Sequence, residues 1–117
     1  MSIALVVVTV TTIVANAAVA LAGLLRAPFV LANNAEVGVP ESWLPWLATL
    51  KGAGAAGLLL GLLGVHWIGV AAAVGLVLFF TGALIAHLRA GVYYNLYFPG
   101  TFWLFAAASL GFAVAEW

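Results

Sequence analysis

Charge is what this chain has least of. Of its 117 residues 5% are charged: Arg26, Lys51, Arg89, Glu36, Glu41 and Glu116. A soluble domain carries roughly 25% charge, and a small chain exposes a large share of its surface. Six charges cannot cover that surface, so a soluble globular domain is excluded. A nucleic-acid binder is excluded too, because it needs a basic patch. With 68% apolar residues, the chain is not disordered either. Cysteine is absent, which removes disulfides, thiolate metal sites and Cys-X-X-Cys redox pairs. Aspartate is absent as well. No GxxxxGK[ST] phosphate loop is present.

What is there is apolar length. The mean hydropathy is +1.29, and the length allows one domain. About 20 mostly apolar residues cross a hydrocarbon core of roughly 30 Å. Four such spans are expected, at about 2–25, 43–63, 67–90 and 101–115. The first lacks the basic start and short apolar core of a secretory signal, so it reads as a retained span. Arg26 to Glu41 carries Pro28, Asn33, Asn34, Gly38 and Pro40. It reads as a long loop lying in the interface or folding back over the bundle. Ser42 is the expected N-cap of the second span, and Gly64 its end. Gly91 is the expected stop of the third. Pro99 suits the first turn of the fourth.

The aromatic residues agree with four spans. Trp43, Trp46, Tyr93, Tyr94, Tyr97 and Trp103 fall at one end of such a bundle, side B. Trp67 and Trp117 fall at the other, side A. Trp and Tyr collect at membrane interfaces in this way. Small residues recur every four positions in Ala53-Gly57-Gly61, Gly82-Ala86-Ala90 and Ala107-Gly111-Ala115. Close backbone packing holds membrane helices together, so these three rows are expected to be helix seams. The fold class is therefore all-α, an antiparallel four-helix membrane bundle.

An ionisable residue inside a span is a candidate functional residue. Lys51 lies about 12 Å below the side B end of the second span. It either snorkels to the interface or pairs inside the bundle. His87 and Arg89 end the third span. They are two residues apart, so they point to nearly opposite faces, and either can serve as a C-terminal cap. Asn16 lies mid-span and must bond to another helix or line a polar cavity. Glu36 and Glu41 share side B with them. A Glu36–Lys51 or Glu36–Arg89 pair would neutralise a buried cation. Asn33, Asn34, Tyr93, Tyr94 and Asn95 add hydrogen-bonding groups at the same end. The thread of threonines in the first span and Thr81 can satisfy themselves on their own helices. Ser109 has no evident acid–base partner.

A polar end on an apolar body suits a lipid-soluble ligand with one polar head. Metals and haem are not expected. His87 with Glu36 is too thin a ligand set, and His66 and His87 are about 31 Å apart along one helix. No cofactor is expected.

The stretches Val37-Gly-Val-Pro-Glu-Ser-Trp-Leu-Pro, Leu50-Lys51-Gly-Ala-Gly-Ala-Ala-Gly-Leu and Ala86-His87-Leu88-Arg89-Ala90-Gly91 resemble the DoxX-like family of small bacterial membrane proteins. The resemblance covers nearly the whole chain. It implies a four-helix protein of the bacterial cytoplasmic (inner) membrane, from a family mostly unassigned in function. Some related proteins are named as subunits of a thiosulfate:quinone oxidoreductase. The wider fold is similar to sterol isomerase and sigma-2 receptor-type bundles, whose apolar ligands enter from the membrane. Lys51, His87 and Arg89 match the family's polar positions. The glutamate that relatives often carry after that lysine has no counterpart in Gly52 to Gly57. The three basic residues favour side B as cytoplasmic; the resemblance favours side A.

Three readings stand. In the first, the chain binds a small lipid-soluble ligand and acts as an acid–base enzyme, by isomerisation, hydration or epoxide opening. His87 would be the acid or base, Lys51 would stabilise developing negative charge and Glu36 would assist. Arg89, Asn16, Asn33 and Tyr94 would contact the ligand. In the second, the chain is an accessory, quinone-associated subunit of a membrane oxidoreductase. In the third, it packs in the bilayer as a homo-oligomer or beside a membrane partner protein, with no site. Nucleic acid is not a partner in any of them.

Overall fold

The computed structural model describes residues 1–117 and contains five α-helices, one 3-10 turn and no strand. Helix α1 is Ile3–Leu24, α2 is Pro28–Glu36, α3 is Leu44–Leu62, α4 is His66–Ala90 and α5 is Tyr97–Glu116. Ser2 caps α1: its hydroxyl oxygen accepts from the Leu5 N–H at 3.1 Å. The Ser2 N–H and O–H also donate to the Glu116 carboxylate at 2.7 and 2.6 Å. The N-cap of α1 is thereby tied to the last residue of α5.

Two sequence expectations change between α1 and α3. The segment expected as loop holds α2, because Pro28 sits at the helix start, where its fixed φ is preorganised and its missing N–H costs nothing. Val30 is buried beneath it. Gly38, at φ 76°, follows its end. Ser42 is not an N-cap. It lies inside the 3-10 turn Glu41–Trp43, which runs directly into α3 with no side-chain cap. Pro45, in the first turn of α3, leaves one fewer amide to satisfy. Gly91 stops α4 as expected: it is left-handed at φ 70°. The Val92 N–H reaches back to the His87 carbonyl at 3.0 Å, as in a glycine-terminated helix. Helix α5 begins four residues earlier than expected, with Pro99 in its first turn.

Helix α1 packs on α3 and α5, and α4 packs on α3 and α5. The residues that meet run in opposite directions along each pair. Gly23 faces Ala48 and Gly52 faces Ala20 across α1 and α3; Gly57 faces Ala72 and Gly61 faces Gly69 across α3 and α4. Thr12 meets Ser109 across α1 and α5, and Trp103 meets Thr81 across α4 and α5.

Of the three expected small-residue seams, one survives, at two of its three positions. Gly57 and Gly61 are in tight contact with α4, joined by Gly54 rather than Ala53. Gly82 and Gly111 have open space where a Cβ would stand. The buried face of α5 is instead Ala106, Ser109 and Ala113. Four-residue spacing marks a helix face and leaves open which way it turns.

The molecule is apolar outside as well as inside. Thr9, Thr12, Asn16, His87 and Ser109 are buried among apolar residues such as Leu5, Leu58 and Leu76, while Ile3, Val14, Leu78, Leu104 and Val114 are all more than half exposed. Such an outer surface is stable only where the surrounding solvent is itself apolar. Helices α1, α4 and α5 are long and apolar enough to cross a membrane. Helix α3 carries Pro45, Trp46, Lys51 and four glycines, which dilute its hydropathy. The chain is a membrane protein.

Candidate functional site

A cleft of about 390 Å³ opens between the N-terminal half of α3 and the C-terminal half of α4, roofed by α2. Its walls are mostly apolar: Leu47 from α3, Leu78, Phe79 and Phe80 from α4, and Phe98 from α5. An aromatic ladder backs it. Phe79 meets Phe80 edge-on at 5.0 Å, Phe80 meets Phe102 at 5.2 Å, and Phe98 stacks on Phe102 at 5.1 Å. Such edge-to-face and offset contacts give the wall a fixed shape. The polar groups on the lining are Asn33, Asn34, Lys51 and His87.

His87 is 3% exposed. Its Nδ1 lies 2.9 Å from the Ala83 carbonyl. A carbonyl only accepts, so Nδ1 carries the proton. In the neutral form of the ring the lone pair is then at Nε2, which is buried and has no partner within the protein. The last turn of α4 thus fixes both the tautomer and the ring orientation.

Lys51 is half-buried in α3. Its ammonium lies 5.5 Å from the centroid of the Phe79 ring, a cation–π distance. The expected ion pair with Glu36 or Arg89's expected pair with Glu36 does not form. The single ion pair in the molecule joins Arg26 to Glu41. Glu36 is exposed and accepts both of its short bonds from the Tyr94 hydroxyl, at 2.6 and 2.8 Å. Because the hydroxyl donates to that carboxylate, the Tyr94 phenol is held above its ordinary range.

A second cleft, of about 460 Å³, lies on the other side of α2 and is lined by Glu36, Tyr94, Asn95 and Tyr97. Lys51, Asn33, Asn34 and Phe98 line both clefts. Asn33 accepts from the Asn95 amide at 2.7 Å. Helix α2 is therefore clamped to the α4–α5 connection by two polar contacts, Glu36–Tyr94 and Asn33–Asn95.

The structure brings Lys51, His87 and Asn33 to one cleft. Tyr94 and Glu36 lie on the second. Two residues singled out from sequence stand apart. Arg89 is exposed and lines neither cleft; as expected, it points away from His87. Asn16 is 1% exposed and lines neither cleft. Its amide donates to the Thr12 carbonyl one turn earlier at 3.0 Å, leaving its Oδ1 unpartnered. It bonds to its own helix and not to another. The polar link between α1 and α5 is made by residues that sequence reasoning assigned no role: the Thr12 and Ser109 hydroxyls are 2.9 Å apart. Thr81 likewise does more than satisfy itself, since it accepts from the Trp103 indole at 3.0 Å. A serine and a threonine at mid-depth on facing helices were the available signal.

No group of His, Cys, Asp or Glu is arranged to hold a metal ion. The DoxX-like family matches residues 7–109, and the chain belongs to that family. No curated protein and no solved structure matches it.

Proposed function

We propose that this DoxX-like protein is a multi-pass protein of the bacterial cytoplasmic membrane that holds a small lipid-soluble molecule by its polar end, between Lys51 and His87. In this reading α1, α3, α4 and α5 all cross the bilayer as one antiparallel four-helix bundle. Helix α3 crosses despite its modest hydropathy because α1 and α4 flank it along its length; at 19 residues it reaches about 28 Å.

The observation that carries the proposal is a pair of polar groups in one apolar cleft that the protein itself does not satisfy. His87 Nε2 offers a lone pair, and the Lys51 ammonium has only an aromatic face beside it. A buried polar atom without a partner, such as His87 Nε2, is costly, and ligand pockets set a few polar groups on apolar walls. A donor and an acceptor on apolar walls also suit acid–base chemistry. His87 would take a proton from the bound molecule, and Lys51 would stabilise the negative charge that develops on an adjacent oxygen. Isomerisation, hydration and epoxide opening all fit that division of roles.

Equilibrium dialysis of labelled decanol against the protein in phosphatidylcholine nanodiscs tests binding, with empty discs subtracted. Gly82 lines the cleft and has free space at its Cβ position. Gly82→Trp and Ala86→Trp should each fill the cleft and abolish the protein-dependent binding. Gly111→Trp, at an equally open position outside the cleft, should leave it intact. Equal binding by all of these proteins overturns the reading.

A further inference from the structure

We infer that the polar end this cleft selects is an anionic oxygen, so that the preferred ligand is a small apolar acid bound as its carboxylate against Lys51. The inference rests on the reading of the cleft as a ligand site and goes on to name the ligand's head group.

The chain has three cations in its side chains and three carboxylates. Glu41 pairs with Arg26. Glu36 is taken by the Tyr94 hydroxyl, and Glu116 by Ser2. Arg89 is exposed at the end of α4. Lys51 alone is a half-buried cation with no carboxylate of the chain at ion-pair distance. An ammonium in a low-dielectric site is expensive unless an anion accompanies it. The face of Phe79 offsets part of that cost, and an anionic ligand would offset more.

The hydrogen-bonding inventory points the same way. Lys51 contributes only donors. Asn33 has its oxygen occupied by the Asn95 amide, which leaves its own NH2 as a donor. Asn34 adds an NH2 donor and an amide oxygen, so the acceptors on this lining are that oxygen and His87 Nε2. A ligand that matches the donors of Lys51, Asn33 and Asn34 is rich in acceptor oxygens, as a carboxylate is. The volume, about 390 Å³, is near the low end of the range for ligand pockets, roughly 300–1,000 Å³. It suits one medium acyl chain better than a two-chain lipid. A phospholipid phosphate shares the head-group chemistry, so the source of the anion is decided by experiment.

The test uses the full chain in phosphatidylcholine nanodiscs, with decanoate and decanol competing against labelled decanol. Decanoate should compete at about tenfold lower concentration or less, the gain of one charge-assisted hydrogen bond. Lys51→Met should remove that advantage while decanol still binds, which also shows that the variant folds. Lys51→Arg should keep it. Equal competition by the two compounds, or an advantage that survives in Lys51→Met, overturns the inference and leaves the ligand reading standing. Binding of neither compound overturns both. In discs containing phosphatidylglycerol, loss of decanoate binding to the wild type assigns the anionic head to a lipid. Undiminished binding assigns it to a free acid.

Discussion

Gly61→Ala adds one methyl group where α3 and α4 are closest. The new Cβ would stand 2.7 Å from the Gly69 Cα and 2.7 Å from Cη2 and Cζ3 of Trp117. Carbon atoms rest at about 3.5–4.0 Å, so these neighbours must retreat by roughly 1 Å. The backbone of Gly69 belongs to a continuous helix and cannot rotate aside. The Trp117 ring is also held, stacked on His66 at 5.0 Å and 9°. Overpacking of this kind costs about 1–3 kcal/mol. Alanine is the better helix former by up to about 1 kcal/mol, which offsets part of the loss. Gly111→Ala gains the same propensity and meets nothing within 4 Å. The difference between the two variants therefore isolates the packing cost, and about 1–3 kcal/mol is expected. Unfolding in mixed micelles with rising dodecyl sulfate fraction, followed by helical circular dichroism, measures it. Equal stability of Gly61→Ala and Gly111→Ala would refute the close α3–α4 contact.

Other consequences are smaller and equally specific. Ser109→Ala removes the hydroxyl link between α5 and Thr12 and should cost about 0.6 kcal/mol or somewhat more; a double-mutant cycle with Thr12→Val in the same unfolding assay should show coupling of that size. Glu36→Gln should lower the Tyr94 titration midpoint toward the ordinary phenol value of about 10, read from phenolate ultraviolet absorbance. The raised value of Tyr94 has a defined sign: its contribution is complete below the unfolded phenol range and is lost as pH rises through the folded value. Hydrogen exchange in α2, corrected for its intrinsic pH dependence, should therefore accelerate only on the alkaline side, whereas Tyr94→Phe, with no phenol to titrate, should exchange faster at every pH and show no such step. Glu41→Gln breaks the Arg26 ion pair, but both partners are more than half exposed, so unfolding should move by about 0.5 kcal/mol or less.

The sequence made the solvent and the long helices legible because both are carried by composition. Six charges in 117 residues require an apolar surround wherever the helices turn. Gly91 and Pro99 were readable as punctuation because one stereochemical property fixes each. Helix α2 was not readable, because Pro28, Asn33 and Asn34 score as turn residues one by one. Pro28 becomes a helix start only together with Val30 packing beneath and the clamp of Asn33 to Asn95. The site was half legible. Lys51 and His87 stand out as ionisable residues within spans, and they do share a cleft. Which groups would satisfy them was not legible. Glu36 had two candidate partners at one end of the bundle, Lys51 and Arg89, and the fold gives it to Tyr94. Asn16 looked like a ligand contact by depth alone, whereas helix rotation turns it to the Thr12 carbonyl and away from the clefts.

The central claim is that the Lys51–His87 cleft holds a small amphiphile by its polar end. Crystals grown from a lipidic mesophase with ω-bromodecanoate test it directly, because bromine scatters anomalously. The account predicts a bromine peak within the cleft and carboxylate density within hydrogen-bonding reach of the Lys51 Nζ. A cleft closed by its own side chains, or bromine found only on the lipid-facing surface with Lys51 turned toward the headgroups, would contradict it.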